Sequence, residues 1–154
     1  MKPSTIAKTF AIAAVTALAL GIAPTAKADG KGCSNATLKG TFALKGTGSA
    51  IGPAAVALLD NVLAQTFDGN GAVTATGFRS LNGNINPVTQ TGTYTVNPDC
   101  TGTYAVLVSP GGNTAHYFFV IDDSGNELQI ICTDSGVVFS ATARRQFPEG
   151  DWRQ

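Results

Sequence analysis

Thr37-Leu38-Lys39-Gly40-Thr41-Phe42-Ala43-Leu44-Lys45 sets Leu38, Gly40, Phe42 and Leu44 on one side of an extended chain, and Thr37, Lys39, Thr41 and Lys45 on the other. A period of two is the side-chain geometry of a strand with one buried face. The stretch therefore predicts a β-strand over Thr37–Lys45 whose core face carries Phe42.

Outward from that strand, turn residues recur at short intervals, as in an antiparallel meander. Val62–Phe67 reads as strand and runs into Asp68-Gly69-Asn70-Gly71, whose Asn-Gly and Asp-Gly steps tolerate the positive φ of a tight hairpin. Ala72–Arg79, Thr89–Asn97, Thr101–Ser109, His116–Asp122, Glu127–Thr133 and Val137–Arg145 follow, separated by Gly-, Pro-, Asn- and Asp-rich turns. Thr91-Gly92-Thr93-Tyr94-Thr95-Val96 is echoed by Thr101-Gly102-Thr103-Tyr104-Ala105-Val106, which reads as two strands of one hairpin meeting the same packing demand. Eight short strands must bury one face and protect two edges, and closing the sheet does both. The expected fold is all-β, an eight-stranded antiparallel up-and-down barrel; a two-sheet β-sandwich is the alternative. Ala54–Leu63, an apolar run behind Pro53, fits a short helix or a buried strand and could cap one mouth of the barrel.

The first 28 residues read differently. Lys2 and Lys8 precede an apolar stretch from Phe10 to Ile22, and Ala26-Lys27-Ala28 supplies a small-x-small cleavage site. Residues 1–28 are thus expected to be a signal peptide and residues 29–154 a single β-barrel domain. The apolar run is too short and Ala-rich to span a bilayer comfortably, and Lys31-Gly32 before Cys33 does not make a lipid-attachment box, so no membrane anchor is expected. A secreted or periplasmic location follows.

Removing Lys2, Lys8 and Lys27 leaves seven basic residues against ten acidic ones, a net charge of about −3. Such a surface offers no electrostatic footprint for nucleic acid. Of the three cysteines, Cys33 and Cys100 lie in polar turn sequences, while Cys132 ends an apolar strand on the face of Leu128 and Ile130. An oxidising compartment favours one disulfide. The expected pair is Cys33–Cys100, with Cys132 free in the core; Cys100–Cys132 is the alternative.

No reactive constellation emerges. His116 is the one histidine and is expected to be structural or at the rim; no serine or cysteine has a nucleophile's context. The acidic turns Asp68–Gly71 and Asp122–Glu127 fit no twelve-residue calcium loop, and Asp, Asn and Gly serve ordinary hairpins, so no metal and no cofactor is expected. Arg144-Arg145 reads as a solvated strand end, and Asn35-Ala36-Thr37 is a glycosylation sequon. The aromatics expected to point inward and to line any ligand site are Phe42, Tyr94, Tyr104 and Phe119.

Cys33–Phe42, Phe67–Gly71, Gly92–Thr103 and Thr133–Val138 together resemble a family of small exported, largely uncharacterised bacterial proteins. The resemblance spans roughly 33–146 and implies a lipocalin-like or allene-oxide-cyclase-like barrel. It carries no cyclase signature, and a shared barrel transfers no activity. The functional expectation is a non-enzymatic barrel for a small hydrophobic ligand. The alternative is an interaction module using Phe118 and Val120 on the outer surface, and an isomerase or cyclase is a distant third. N-terminal sequencing of the exported protein should give Asp29; recovery of Met1 or of a lipidated Cys33 would overturn the leader assignment.

Overall fold

The computed structural model describes residues 32–147; the expected signal peptide lies outside them. Eight strands run in order: β1 (Gly40–Ile51), β2 (Val56–Phe67), β3 (Ala72–Leu81), β4 (Asn84–Val96), β5 (Thr101–Ser109), β6 (Asn113–Asp122), β7 (Glu127–Cys132) and β8 (Val137–Arg145). Each pairs antiparallel with its neighbour in sequence, and β8 returns to pair with β1, so the sheet is a closed up-and-down barrel rather than a sandwich. Among the described residues no helix is long and apolar enough to cross a membrane.

Alternation decides which side chains enter the barrel. On β1 and β2, Phe42, Leu44, Leu63, Gln65 and Phe67 are buried while the residues between them are exposed. The first strand begins later than its alternation predicts. Thr37 and Leu38 belong to a short 3-10 turn, Asn35–Leu38, in which Thr37 Oγ1 accepts a hydrogen bond from the Ser34 N–H (3.0 Å). Leu38 still points inward and is completely buried. The strand instead continues through Gly46-Thr47-Gly48-Ser49, which has the composition of a turn. Cβ atoms on Gly46 and Gly48 would collide with Phe139 or its neighbouring backbone, so glycine is what lets β1 and β8 approach here.

Ala54–Leu63 is neither helix nor lid. From Val56 onward it is the first half of β2, with Ala57 opposite Ala50 and Leu59 opposite Gly48. Its continuous apolar run, split between two faces, hides the alternation.

The hairpins divide the barrel into two ends. The turns after β2, β4 and β6 share one end with the lead-in to β1, and that end is shut. Leu38 enters it as a plug. Cys33 is bonded to Cys100 in the turn after β4, with Cα atoms 4.9 Å apart, which belongs to an oxidising, extracytoplasmic environment. Asn35 Oδ1 accepts from the Val96 N–H (2.8 Å), so the side chain of the sequon is engaged in the fold. The Tyr94 hydroxyl donates to the Asn35 carbonyl (2.9 Å) and accepts from the Gly69 N–H (3.0 Å).

Arg145, expected on a solvated edge, completes this closure. Its guanidinium donates to the carbonyls of Lys39 (2.6 Å), Thr37 (3.1 Å) and Gly125 (3.0 Å) and to Asn126 Oδ1 (3.2 Å). It also lies over the Phe42 ring, 4.6 Å from the centroid. Arg144 faces outward and pairs with Glu127 at 2.6 Å.

These contacts set three stability expectations, each readable in denaturant melts. Phe42→Ala should cost about 3–5 kcal/mol through lost transfer energy and a residual cavity. Thr41→Ala, on the exposed face, should change stability by about 0.5 kcal/mol. Reducing Cys33–Cys100, which spans 67 residues, should remove about 4 kcal/mol by the chain-entropy argument. Equal small effects for the first two variants would reject the assignment of Phe42 to a core face.

Candidate functional site

The barrel interior is graded from filled to open. At the shut end Phe42, Phe67 and Tyr94 meet edge to face, with centroids 5.6 and 4.9 Å apart. Further in, Tyr104 stacks on Tyr117 at 4.5 Å and lies beside Phe119 at 6.2 Å. The four aromatics singled out from the sequence, Phe42, Tyr94, Tyr104 and Phe119, are thus all inward and buried. Burial pushes the Tyr104 hydroxyl well above its ordinary pKa.

At the opposite end the packing stops short. A cavity of about 340 Å³ opens in the mouth formed by the turns after β1, β3, β5 and β7. This is at the small end of the range for ligand pockets, about 300–1,000 Å³. Its walls are largely apolar, with Leu59, Val108, Ala115, Tyr117 and Phe139 among them. None of the four sequence-selected aromatics lines it; Tyr104 supports it from below through the stack on Tyr117.

Polar groups in this cavity are few. Asn61 on β2 and Arg79 on β3 face each other across one rung of the sheet, both at inward positions. Asn61 is 5 % exposed, and its Oδ1 has no hydrogen-bond partner; neither has the buried Nε of Arg79. Deeper in, Gln65 is completely buried and neither amide atom completes a hydrogen bond, although the nearby Tyr104 hydroxyl feels its dipole. Buried polar atoms are nearly always paired in folded proteins, so this cluster is exceptional.

Asn113, Cys132 and Asp134 also line the cavity. Asp134 Oδ1 is 2.7 Å from His116 Nδ1, and Oδ2 accepts from the His116 N–H (2.9 Å) and from the Cys132 thiol (3.7 Å). Desolvation opposes ionisation of Asp134, but the hydrogen bonds from His116 and its imidazole outweigh it and hold the carboxyl below its usual value. His116 itself sits on the outer surface. It is therefore a rim residue, separated from the cavity by the wall.

Burial raises the pKa of the Cys132 thiol, and the thiol carries no activating cation. Tyr117 is pushed up to about 12, chiefly by burial and by Cys132, with Arg79 acting in the opposite direction. The raised pKa keeps the Cys132 thiol protonated at neutral pH. Among the described residues no three His, Cys, Asp or Glu side chains come together to hold a metal ion. The acidic turns serve the backbone: Asp68 Oδ1 accepts from the N–H groups of Asn70, Gly71 and Ala72 at 2.7–2.9 Å, and those bonds lower its pKa.

Sequence reading missed Asn61, Arg79, Tyr117 and Phe139. A signal for the first two exists: carrying the alternation of Phe67, Gln65 and Leu63 back along β2 lands on Asn61, and carrying Val73, Ala75 and Gly77 forward along β3 lands on Arg79. Polar residues at core parity mark the site.

No known protein family matches the chain, and no curated protein matches it. Among solved structures, it is similar to a redesigned β-barrel, mFAP1, bound to DFHBI. That likeness has a TM-score of 0.49 and 17% identity over 72% of this chain and 97% of that one.

The thiol's raised pKa has a kinetic consequence. At pH 8 Cys132 should react with iodoacetamide well below the rate of an unhindered cysteine, and the rate should keep climbing past pH 9 as the thiolate forms. Rapid alkylation of the native protein at pH 7 would contradict this environment.

Proposed function

We propose that this protein is a non-enzymatic binding protein that holds a small, predominantly apolar molecule in the open mouth of its barrel. The observation that carries the reading is the contrast between the two ends. One is plugged, cross-linked and hydrogen-bonded shut, while the other keeps a 340 Å³ apolar cavity whose buried Asn61 and Arg79 atoms lack partners. A cavity that served only packing would be smaller and lined without unpaired polar groups. The raised Cys132 thiol and Tyr117 hydroxyl support binding over nucleophilic chemistry at those two groups.

The reading includes release to the periplasm or the exterior after removal of residues 1–28. The leader sequence and the disulfide support this, and the resemblance to exported bacterial barrels agrees with it. A second reading has one observation of its own. Phe118, Val120 and Ile131 are exposed side by side on the outer faces of β6 and β7, beside a shallow groove that reaches Thr142 on β8. Such a patch suits contact with another macromolecule.

Fluorescence titration with the neutral apolar dye N-phenylnaphthylamine distinguishes the two. The wild-type protein should bind it one to one. Ala115→Leu, which sends a larger side chain into the cavity, should weaken binding at least tenfold while leaving the melting temperature unchanged or raised. Undiminished binding in Ala115→Leu would place the dye on the outer surface and reject the cavity as the site.

A further inference from the structure

Arg79 gives the ligand a chemical class. It is half-buried, and among the described residues no carboxylate forms an ion pair with it. The cavity's one acidic residue, Asp134, is occupied by the ring and main-chain N–H of His116. A guanidinium held beside apolar walls with its Nε–H unbonded carries an unrecovered desolvation cost, which an anion arriving with the ligand would offset.

The geometry adds direction. Leu81, one inward position further along β3, stands at the rim, and Ala50, Ala57 and Val137 share that outer ring. Arg79 and its cross-strand partner Asn61 sit one step deeper. A ligand would therefore enter polar end first and leave its apolar body against the outer ring. Asn61 assists whichever way its amide is turned, because a half-turn exchanges its oxygen acceptor for N–H donors.

The charge count limits the head group. Among the described residues one cation, Arg79, faces the cavity, and Asp134, across the barrel between β7 and β8, repels excess negative charge. A planar monoanion fits this arrangement better than a phosphate dianion, and a carboxylate matches the guanidinium fork with two parallel hydrogen bonds. We infer that the mouth selects a compact apolar monocarboxylate, bound with its carboxylate inward on Arg79 and Asn61. This rests on the reading of the mouth as a ligand site and deepens it.

Displacement of N-phenylnaphthylamine by octanoate, octanol and octylamine tests the inference. In the wild-type protein octanoate should displace the dye at a concentration at least tenfold lower than octanol, and octylamine should be the weakest of the three. Arg79→Met should abolish the preference for octanoate over octanol. Arg79→Gln, which keeps a hydrogen-bonding side chain of similar reach, should show the same loss and covers the case in which the Met variant fails to fold. Equal displacement by octanoate and octanol would overturn the carboxylate assignment and leave the apolar site intact, as would a preference that survives both substitutions. If the wild-type protein does not bind the dye at all, the ligand reading falls and this inference falls with it.

Discussion

One cation holds the shut end of this barrel together. The Arg145 guanidinium gathers three main-chain carbonyls and the Asn126 side chain, and its flat face covers Phe42. Thr37 and Lys39 belong to the lead-in, Gly125 and Asn126 to the turn after β6, and Arg145 to the last strand. A single side chain therefore joins three segments that are remote in sequence, at the seam where β8 meets β1. Charge-assisted hydrogen bonds to otherwise orphaned carbonyls are among the stronger local interactions available. A neutral residue there would strand those carbonyls beneath the plug. The path of the lead-in from Thr37 to Lys39, on either side of Leu38, is held by that lock.

With one end fixed, the other end is free to be incomplete. The inner wall near the mouth is thinned by Gly46 and Gly48 on β1, against which Phe139 lies, and by Gly77 on β3, which packs on Leu63 and the adjacent backbone of β2. Replacing any of them would force the neighbouring wall to shift. Small residues here draw the strands together and leave ring faces rather than filling side chains around the cavity. The polar pair Asn61 and Arg79 then stands in a space that the core does not consume.

The sequence made the barrel legible through alternation wherever polar and apolar residues took turns, as in Thr37–Lys45. It was least legible where composition disguised the period. Gly46–Ser49 resembles a turn because glycine meets a packing demand of the opposite strand, which only the closed sheet reveals. Ala54–Leu59 hides its register because apolar residues stand on both faces. Arg145 looks like a solvated strand end because its partners are carbonyls far along the chain. The site followed the same logic: aromatics were easy to assign to the interior, but which of them face empty space depends on where the plug enters. Asn61 and Arg79 were missed although both breach the parity of their strands, whereas Cys33 and Cys100 stood out as the two cysteines in polar turns.

Strand order carries a consequence of another kind. Every strand is hydrogen-bonded to its neighbour in sequence, and β1 and β8 are joined by an antiparallel register from Phe42–Arg145 to Ala50–Val137 much like those within the hairpins. The protein is thus close to a ring that happens to be cut at one seam. Joining the ends of that seam and opening the chain instead at Gly83 or Gly112, whose surroundings are empty, would preserve every rung of the sheet. Circular permutation would then move the chain ends from the locked pole to the open pole, where a fused reporter would sit beside the mouth.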